Sequence, residues 1–281
     1  MIHHVFDIYG FIILTAVLMI LFVLESIFKL RRRVQSRFKR TFINTILAIP
    51  AFALLRFMLI PATIWLAYKN KFWHFGLNYL YEFPSWIENV VAFILLDYSI
   101  YWWHIILHKM PLMWRFHLVH HTDLDMDVTT AFRFHFGEMI GSVIYRSAIV
   151  LLLGASPLII LVYEIIFEVE TQFHHSNTKL NIKLERWLNK IIVTPRMHGI
   201  HHSIIKHETD SNYATIFSFW DRLHKTINLN VQQNNVVIGV PVYHDEHELT
   251  IGNLLKLPFT KIREWKDEER KITDYCNELK E

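Results

Sequence analysis

The sequence predicts an all-α integral-membrane helical bundle. We expect about three spans plus a helical hairpin, with a histidine-rich cytoplasmic cap that holds two metal ions. Three observations support this fold class: long apolar runs fill the first 170 residues, the second half is polar, and 18 of the 281 residues are histidine. Hydrophobic residues make up 52% of the chain and charged residues 20%, below the roughly 25% of soluble domains. So much apolar surface excludes a globally disordered chain.

The composition also excludes several functional classes. A single cysteine, Cys276, excludes an internal disulfide framework and a cysteine-based metal site. The formal net charge of +3 is too small to indicate nucleic-acid binding, and eight glycines and eight prolines exclude collagen-like or low-complexity repeats. The mean hydropathy of +0.23 is mild for a membrane protein, because the apolar residues are concentrated in one part of the chain.

Four apolar segments predict the membrane helices, since a bilayer core about 30 Å thick takes roughly 20 helical residues. Residues 8–28, 42–68 and 86–107 reach that length with one or two charged side chains each. The fourth segment, 139–169, is interrupted by Gly-Ala-Ser-Pro at 154–157, which predicts a hairpin of two shorter helices. Buried core helices of a soluble protein are the alternative. The first segment lacks a basic leader and a small-residue cleavage site, which favours a retained helix over a signal peptide.

The orientation follows from a basic run directly after the first segment. Seven lysines and arginines lie between Lys29 and Arg40, and cytoplasmic loops carry such an excess by the positive-inside rule. The N-terminus and residues 69–85 are therefore expected outside, with residues 29–41 and the far ends of the third segment and the hairpin inside. A nucleic-acid or phosphate patch is the alternative interpretation, but the adjoining apolar segment favours the topological one.

The whole chain, 1–281, is expected to form a single membrane domain with a cytoplasmic cap, because no repeat or Ser/Gly-rich linker divides it. The predicted cap consists of histidine-rich residues 104–138 and 170–230, followed by a C-terminal cytoplasmic tail region at 231–281. Within that tail, residues 231–243 indicate a loop or strand, and 261–281 have the pattern of an amphipathic surface helix.

Ten of the eighteen histidines fall in four short stretches. These are His104-x-x-x-His108, His117-x-x-His120-His121, His174-His175 and His198-x-x-His201-His202. Residues i, i+3 and i+4 share a helix face, so three of the stretches each predict a cluster of imidazoles. Neutral imidazole suits iron, zinc and copper, and ten imidazoles are too many for one ion and about right for two. Because adjacent His174 and His175 cannot easily point the same way, at least one of them is expected to be a ligand.

The scattered histidines are expected to be surface or core residues without a metal. They are His3, His4, His74, His207, His224, His244 and His247. His135 is intermediate, because it lies in the polar phrase Arg133-Phe134-His135-Phe136-Gly137-Glu138, and we consider it a candidate to support a ligand.

The order of these histidine stretches on a multi-span chain resembles the fatty acid hydroxylase/sterol desaturase superfamily of membrane di-iron oxidases. Accompanying phrases resemble it too: Asp97-Tyr98 with Trp102-Trp103-His104, Arg133-Phe134-His135-x-x-Glu138, Thr194-Pro195-Arg196-Met197-His198, Asn212-Tyr213, and Trp220-Asp221-Arg222-Leu223. The likeness covers about 90–225. The sequence departs from the family at Phe136, often Pro, at Ala214, often Gly, and at His224-Lys225, often Phe-Gly. The histidine stretches stay intact, but the substrate is left open.

The resemblance implies two bound iron ions, O2 as co-substrate, and oxidation of an unactivated C–H bond of a lipid such as a sterol or fatty acyl chain. Hydroxylation and desaturation both fit. It implies these metal ligands: His104, His108, His117, His120, His121, His174, His175, His198, His201 and His202. It also implies supporting or catalytic roles for Asp97, Arg133, Glu138, Asn212 and Asp221. Asp97 lies seven residues before His104 and is predicted to accept a hydrogen bond from a ligand imidazole.

Electrons must come from another protein, because the chain has no haem-attachment motif, no iron–sulfur cysteine set and no dinucleotide-binding glycine motif. A separate cytochrome or ferredoxin with an NAD(P)H-dependent reductase is therefore expected. A compact multi-pass chain suits a bacterial inner membrane, and the endoplasmic reticulum is the other location considered. The competing functions are a haem protein, a metal transporter with histidines at several membrane depths, and a zinc hydrolase, which would need fewer histidines.

Overall fold

The computed structural model describes residues 2–80 and 83–265, with the side chains of 2–7 left out. Within these residues the chain is helical, with short 3₁₀ turns and three isolated bridges but no strand. Four stretches are long and apolar enough to cross a membrane: Ile8–Ile27, Arg37–Tyr79, Ser85–Lys109 and Phe136–Leu153. The predicted all-α class is therefore confirmed.

Twelve α-helices are present in the described part of the chain. Their bounds are α1 Ile2–Ile27, α2 Arg37–Leu54, α3 Ile60–Trp73, α4 Ser85–Lys109, α5 Pro111–His121, α6 Phe136–Leu153, α7 Pro157–His175, α8 Ile182–Leu188, α9 Pro195–His201, α10 Lys206–Thr209, α11 Phe219–Leu223 and α12 Ile251–Lys256. A π-helical turn at Leu55–Leu59 joins α2 to α3, so the helix predicted over 42–68 is longer at both ends. Such turns interrupt α-helices frequently at functional sites.

The predicted hairpin is formed by α6 and α7. Gly154 ends α6 in the left-handed region at φ 69°, and the Ser156 side chain caps α7, which explains the Gly-Ala-Ser-Pro break. By length and composition α7 does not qualify as a span. It carries three carboxyl side chains, Glu164, Glu168 and Glu170.

The bundle has two distinct ends. At one end the segment after α3 meets the hairpin turn: a Cβ atom on Gly76 would lie 2.5 Å from the Gly154 backbone nitrogen, so the approach requires glycine. At the other end Lys29 bridges to Thr178, and the Arg31 backbone nitrogen donates to Asn177 Oδ1 at 2.9 Å. The basic run therefore lies at the same end of the bundle as the histidine stretches. The predicted topology also places these two parts of the chain on one side of the membrane.

The core lies between α3, α4, α6 and α7, where a cluster including Ala92, Leu96, Ile100, Val150 and Tyr163 is buried. Large apolar side chains cover the outside of the first helices, as Phe11, Phe57 and Phe72 illustrate. Such extensive apolar exposure is typical of a surface in contact with lipid.

In the C-terminal part, residues 231–243 form a loop with two 3₁₀ turns, one of the two forms predicted for them. The predicted helix over 261–281 falls mostly outside the described residues, and its described part, 261–265, is not helical.

Candidate metal centre

Nine of the ten clustered histidines form two buried groups. The five-histidine group consists of His104, His108, His117, His121 and His201, and the four-histidine group consists of His120, His175, His198 and His202. Within each group the ligand atoms all lie within 4.8 Å of one another. The local concentration of nitrogen donors is therefore sufficient for one metal ion in each group.

Helices α5 and α9 lie between the two groups and contribute to both. His117 and His121 of α5 belong to the five-histidine group, whereas His120 belongs to the other. On α9 His198 belongs to the four-histidine group together with His202, which directly follows the helix, and His201 belongs to the five-histidine group. The expectation that each triplet acts as one cluster was wrong: residues four apart stay together, and the third imidazole projects to the neighbouring group.

Backbone carbonyls fix the orientation of three imidazoles. The Nδ1 atoms of His104, His175 and His201 lie 2.7 to 2.8 Å from the carbonyl oxygens of Tyr213, Thr171 and Ser211, respectively. A carbonyl only accepts, so each Nδ1 carries the proton and each Nε2 keeps its lone pair. This is the usual arrangement around a ligating histidine.

The four-histidine group fits a metal ion better than it fits hydrogen bonding. Nε2 of His175 lies 3.1 Å from Nε2 of His120 and 3.0 Å from Nε2 of His198, which in turn lies 3.2 Å from Nε2 of His202. Because His175 has its proton on Nδ1, its Nε2 can accept only one hydrogen and cannot satisfy both neighbours. Nitrogen atoms about 2.0–2.1 Å from a shared ion would have such separations.

The five-histidine group fits a metal ion through its unsatisfied nitrogens. The Nε2 atoms of His108, His117, His121 and His201 are buried and have no hydrogen-bond partner in the described part of the chain. A buried polar atom without a partner costs about 1–3 kcal/mol, so four in one place require an explanation. Coordination of a metal ion supplies one.

Electrostatics keep the imidazoles in the ligand form. Burial lowers the pKa of His120, His121, His198, His201 and His202 well below the ordinary value, and neighbouring imidazoles lower it further. The rings are therefore neutral near pH 7. A metal binds the neutral imidazole, so no proton has to be displaced first.

His174 is the one clustered histidine outside both groups. Its ring centroid lies 4.2 Å from that of His198, its Nδ1 has no partner, and it is hydrogen-bonded to the backbone of Thr215. His135 also lies elsewhere: its Nδ1 accepts from the Gly137 backbone nitrogen at 3.0 Å as the N-cap of α6, and its Nε2 donates to the Leu255 carbonyl. Neither group includes His74, His207, His224, His244 or His247.

Asp97 does not contact an imidazole, contrary to the prediction. Its carboxylate accepts from the backbone nitrogens of Ile216 and Phe217 at 3.3 and 3.1 Å, and from Trp220 Nε1 at 2.7 Å. Asp97 and His104 are both on α4, seven residues apart, as the prediction assumed. The segment after α10, and not an imidazole, supplies the hydrogen-bond donors to the Asp97 carboxylate. Asp97 therefore anchors the 216–220 segment.

Asp221 and Asn212 hold the loop that carries the carbonyl acceptors. Asp221 accepts from the backbone nitrogens of Tyr213 and Ala214 at 2.9 and 3.0 Å. Asn212, in the left-handed region at φ 55°, donates to the carbonyl of Met197 at 3.0 Å. Burial raises the pKa of Asp221, although hydrogen bonds to its carboxylate oppose the shift. Both side chains act on the five-histidine group indirectly.

Glu138 and Arg133 differ in how they reach the histidines. Glu138 Oε2 lies 3.2 Å from Nδ1 of His117 and directly orients that ring. Arg133 instead donates to the Val119 carbonyl at 2.9 Å and to Asn44 Oδ1 at 2.9 Å. It therefore fixes the last turn of α5, between the two groups, without touching an imidazole.

The structure adds one buried network that the sequence analysis missed. Arg40 binds Asp123 through Nε at 2.8 Å and Asp127 through Nη1 at 2.6 Å, directly after the His120-His121 pair. Burial alone would raise the pKa of Asp123, but Arg40 and Arg133 outweigh it and lower the pKa to about 2. The signal in the sequence was the alternating Asp123-x-Asp125-x-Asp127, which follows a histidine stretch.

A cavity of about 100 Å³ adjoins both groups. Histidines from each of them line it, together with apolar side chains that include Ala51, Phe52, Ile100, Trp103 and Phe132. Apolar side chains therefore lie directly beside the nitrogen donors, as is usual in sites that bind apolar ligands.

Known proteins resemble this part of the chain. The fatty acid hydroxylase family model matches residues 89–226. Ornithine lipid hydroxylase of Rhizobium tropici is 27% identical over 62% of this chain and 50% of its own length. Human alkylglycerol monooxygenase is 30% identical over 53% and 32%, and rat cholesterol 25-hydroxylase is 25% identical over 49% and 46%.

The similarity is limited to part of each protein, since the chain spans half or less of the length of these relatives. No solved structure matches the chain. The matched region nevertheless contains all ten clustered histidines and agrees with the extent of the resemblance at about 90–225. Residues 89–226, just under half of the chain, are therefore similar to the fatty acid hydroxylase family.

Proposed function

We propose that this protein is a membrane-bound di-iron oxygenase that uses O2 and external electrons to oxidise a C–H bond of a lipid. The observation that supports this most directly is the pair of buried histidine groups beside an apolar cavity. Two nitrogen-rich groups favour two ions, and all-imidazole donor sets suit redox-active first-row metals rather than magnesium or calcium.

When bound, two iron ions would supply the O2 activation that oxidation of an unactivated C–H bond requires. His104, His108, His117, His121 and His201 would hold one ion, and His120, His175, His198 and His202 the other. The remaining residues keep this donor set in place: carbonyls and Glu138 fix ring orientation, and apolar side chains place a hydrocarbon next to it. Such preorganisation keeps the reacting groups close and properly oriented.

Hydroxylation is the favoured outcome, with desaturation as the second. The three relatives named above are called hydroxylases or monooxygenases, and their names include an ornithine lipid, an alkylglycerol and cholesterol. Since these molecules share hydrocarbon rather than a headgroup, we propose a lipid C–H bond as the point of attack.

We propose a multi-pass protein that forms one membrane domain, with the histidine groups on the cytoplasmic side, as in a bacterial inner membrane. The basic run between Lys29 and Arg40 supports this orientation, because it lies at the histidine end of the bundle. A soluble cytochrome or ferredoxin, reduced by an NAD(P)H-dependent reductase, would then reach the metal end while the lipid enters from the bilayer.

The positions of the histidines oppose a transport function. His104 and His108 lie at the end of α4, His174 and His175 at the end of α7, and the other six on the short helices α5 and α9 or just after α9. A transport path would place ligands at several depths along the spans, whereas these lie in one layer at one end. A haem site would need only two axial histidines.

Metal content and absorbance of detergent-purified protein test the proposal, with wild type compared with His120→Ala and His201→Ala, one variant for each group. We expect about two irons per wild-type chain, no Soret band, and less iron in both variants. A Soret band, or at most one metal that survives both substitutions, would overturn the di-iron assignment. Mass spectrometry of lipids then distinguishes a gain of one oxygen from a loss of two hydrogens.

A further inference from the structure

The cavity beside the histidine groups has two unlike walls. Helices α2 and α4 supply mainly apolar side chains, whereas α6 and α7 supply a row of polar ones beside Met139 and Phe167. On α6 this row is Glu138, Ser142 and Arg146, spaced four residues apart, and on α7 it includes Glu168 and Thr171. A plain hydrocarbon would gain nothing from such a wall.

An ion pair between Arg146 and Glu164 lies at the far end of this row, near the middle of α6 and α7. The Glu164 residue is 9% exposed, and its Oε2 is buried without a hydrogen-bond partner in the described part of the chain. Glu168, one turn along α7, lines the cavity. Arg146 is the single lysine or arginine that lines the cavity in the described ranges, so Glu164 and Glu168 have this one cation between them.

Ionisable side chains at membrane depth are costly and mark functional sites by default. The Arg146–Glu164 pair would be sufficient to hold α6 against α7. Glu168 adds another carboxyl group that this role does not require, and its oxygens are hydrogen-bond acceptors when ionised. A ligand that donates a hydrogen bond satisfies an acceptor oxygen of this carboxyl group in either of its protonation states. A hydroxyl group does so without the cost of bringing a second cation into the bilayer.

We propose that the cavity binds a lipid through a hydroxyl group that donates to the Glu168 carboxyl beside the Arg146–Glu164 pair. Glu168 and His175 lie seven residues apart on one face of α7, about 10 Å at 1.5 Å per residue. The hydroxyl thus fixes how far the lipid enters and selects a carbon about 10 Å away for oxidation. This last step rests on the proposed function, whereas the hydroxyl site itself does not.

Binding of tritiated 1-hexadecanol to the full-length protein in detergent tests the site. The competitors are hexadecane, 1-methoxyhexadecane, which accepts but cannot donate a hydrogen bond, and hexadecylamine, which is cationic. We expect unlabelled 1-hexadecanol to compete about tenfold better than the methyl ether or the alkane, as one buried hydrogen bond predicts. Equal competition by the ether or alkane, or stronger competition by the amine, would overturn the hydroxyl assignment.

Three variants locate the site. Glu168→Leu removes the acceptor and should abolish the preference for the alcohol over its methyl ether. Glu168→Gln retains an amide oxygen and should keep most of it. Glu170→Leu places the same substitution on α7 at a position that does not line the cavity, so the preference should survive. A preference that persists in Glu168→Leu contradicts the proposal, and monodispersity in gel filtration excludes misfolding in each variant.

Iron counted on the same wild-type sample separates this inference from the proposed function. Two irons without alcohol preference would refute the hydroxyl site alone. Alcohol preference in a chain that binds no more than one metal would refute the di-iron function and leave the hydroxyl site standing.

Discussion

The two histidine groups differ in how firmly the protein holds their rings. In the five-histidine group, His104, His117 and His201 each have one nitrogen fixed by a carbonyl or by Glu138. In the four-histidine group His175 alone is fixed in this way by the part of the chain that the structure describes. The Nδ1 atoms of His120, His198 and His202 have no partner in the described part of the chain.

This difference predicts unequal metal sites. Hydrogen bonds to the non-ligating nitrogen typically change metal affinity 10–100-fold, so the five-histidine group should bind its ion more tightly. The four-histidine group, whose rings are less constrained, should release its ion first. Two sites with the same type of ligand can therefore differ in metal affinity.

The largest expected effect comes from removing one ligand from each group. Under the proposed function, His108→Ala and His202→Ala should each lower the iron content from about two to about one per chain. The iron left in His202→Ala occupies the better-supported site and should be released to a chelator about 10–100-fold more slowly than the iron left in His108→Ala. Iron analysis and the rate of chelation measure both quantities.

His224→Ala is the matched control for these variants. His224 stacks on Tyr98 and Tyr101 and belongs to neither group, so it should retain both irons. Equal release rates in the two ligand variants would show that the supporting hydrogen bonds do not distinguish the groups.

The next effect concerns Glu138, whose carboxylate lies within hydrogen-bond distance of His117 Nδ1. Glu138→Ala should weaken metal binding about 10–100-fold in the five-histidine group and leave the four-histidine group unchanged, because only His117 loses its partner. Metal titration of Glu138→Ala combined with His202→Ala measures the five-histidine group. Its combination with His108→Ala measures the four-histidine group. Glu138→Gln keeps an acceptor oxygen and should lose less. A similar loss in both groups would contradict the assignment.

Asp221 should affect the five-histidine group indirectly, through the loop that it holds in place. Asp221→Ala deprives two buried backbone nitrogens of their acceptor and should lower the free energy of unfolding by about 3 kcal/mol. The freed loop carries the carbonyls that fix His104 and His201, so metal binding in the five-histidine group should weaken severalfold. Thermal unfolding and metal titration report the two effects.

Asp97→Ala provides a control of matched chemistry. Asp97 also holds two backbone nitrogens, but those of Ile216 and Phe217, beyond the carbonyl acceptors. It should lower the stability by a comparable amount and leave metal affinity unchanged. If Asp97→Ala weakens metal binding as much as Asp221→Ala does, the loop is one rigid unit and the two roles cannot be separated.

Much of the fold could be predicted because it depends on local patterns. The four candidate membrane stretches were visible as apolar runs, and the break at Gly154 was visible as Gly-Ala-Ser-Pro. The extension of the second helix through a π turn at Leu55–Leu59 could not be predicted, because no residue type marks such a turn. Helices α2 and α3 and the turn between them all pack against α6, a tertiary contact that a local sequence pattern does not reveal.

The candidate site was predictable in its residues but not in its grouping. Helical spacing places His117, His120 and His121 near one another, but only the position of α9 decides which imidazole joins which group. The same limit applies to Asp97, whose partners lie 119–123 residues away. It also applies to Arg40, which meets Asp123 across 83 residues. Contacts over such separations depend on tertiary packing, which spacing along the chain cannot reveal.

The smallest effect is expected at His174, and it tests which of two adjacent histidines is a ligand. His175→Ala should lose the iron of the four-histidine group, whereas His174→Ala should retain both irons. His174 lines the cavity and belongs to neither group, so its loss should enlarge the space for lipid and leave the metal content near two. Iron analysis of the two variants side by side decides between them. Loss of iron in His174→Ala would mean that its unpartnered Nδ1 turns toward the ion, and that the four-histidine group takes a fifth ligand.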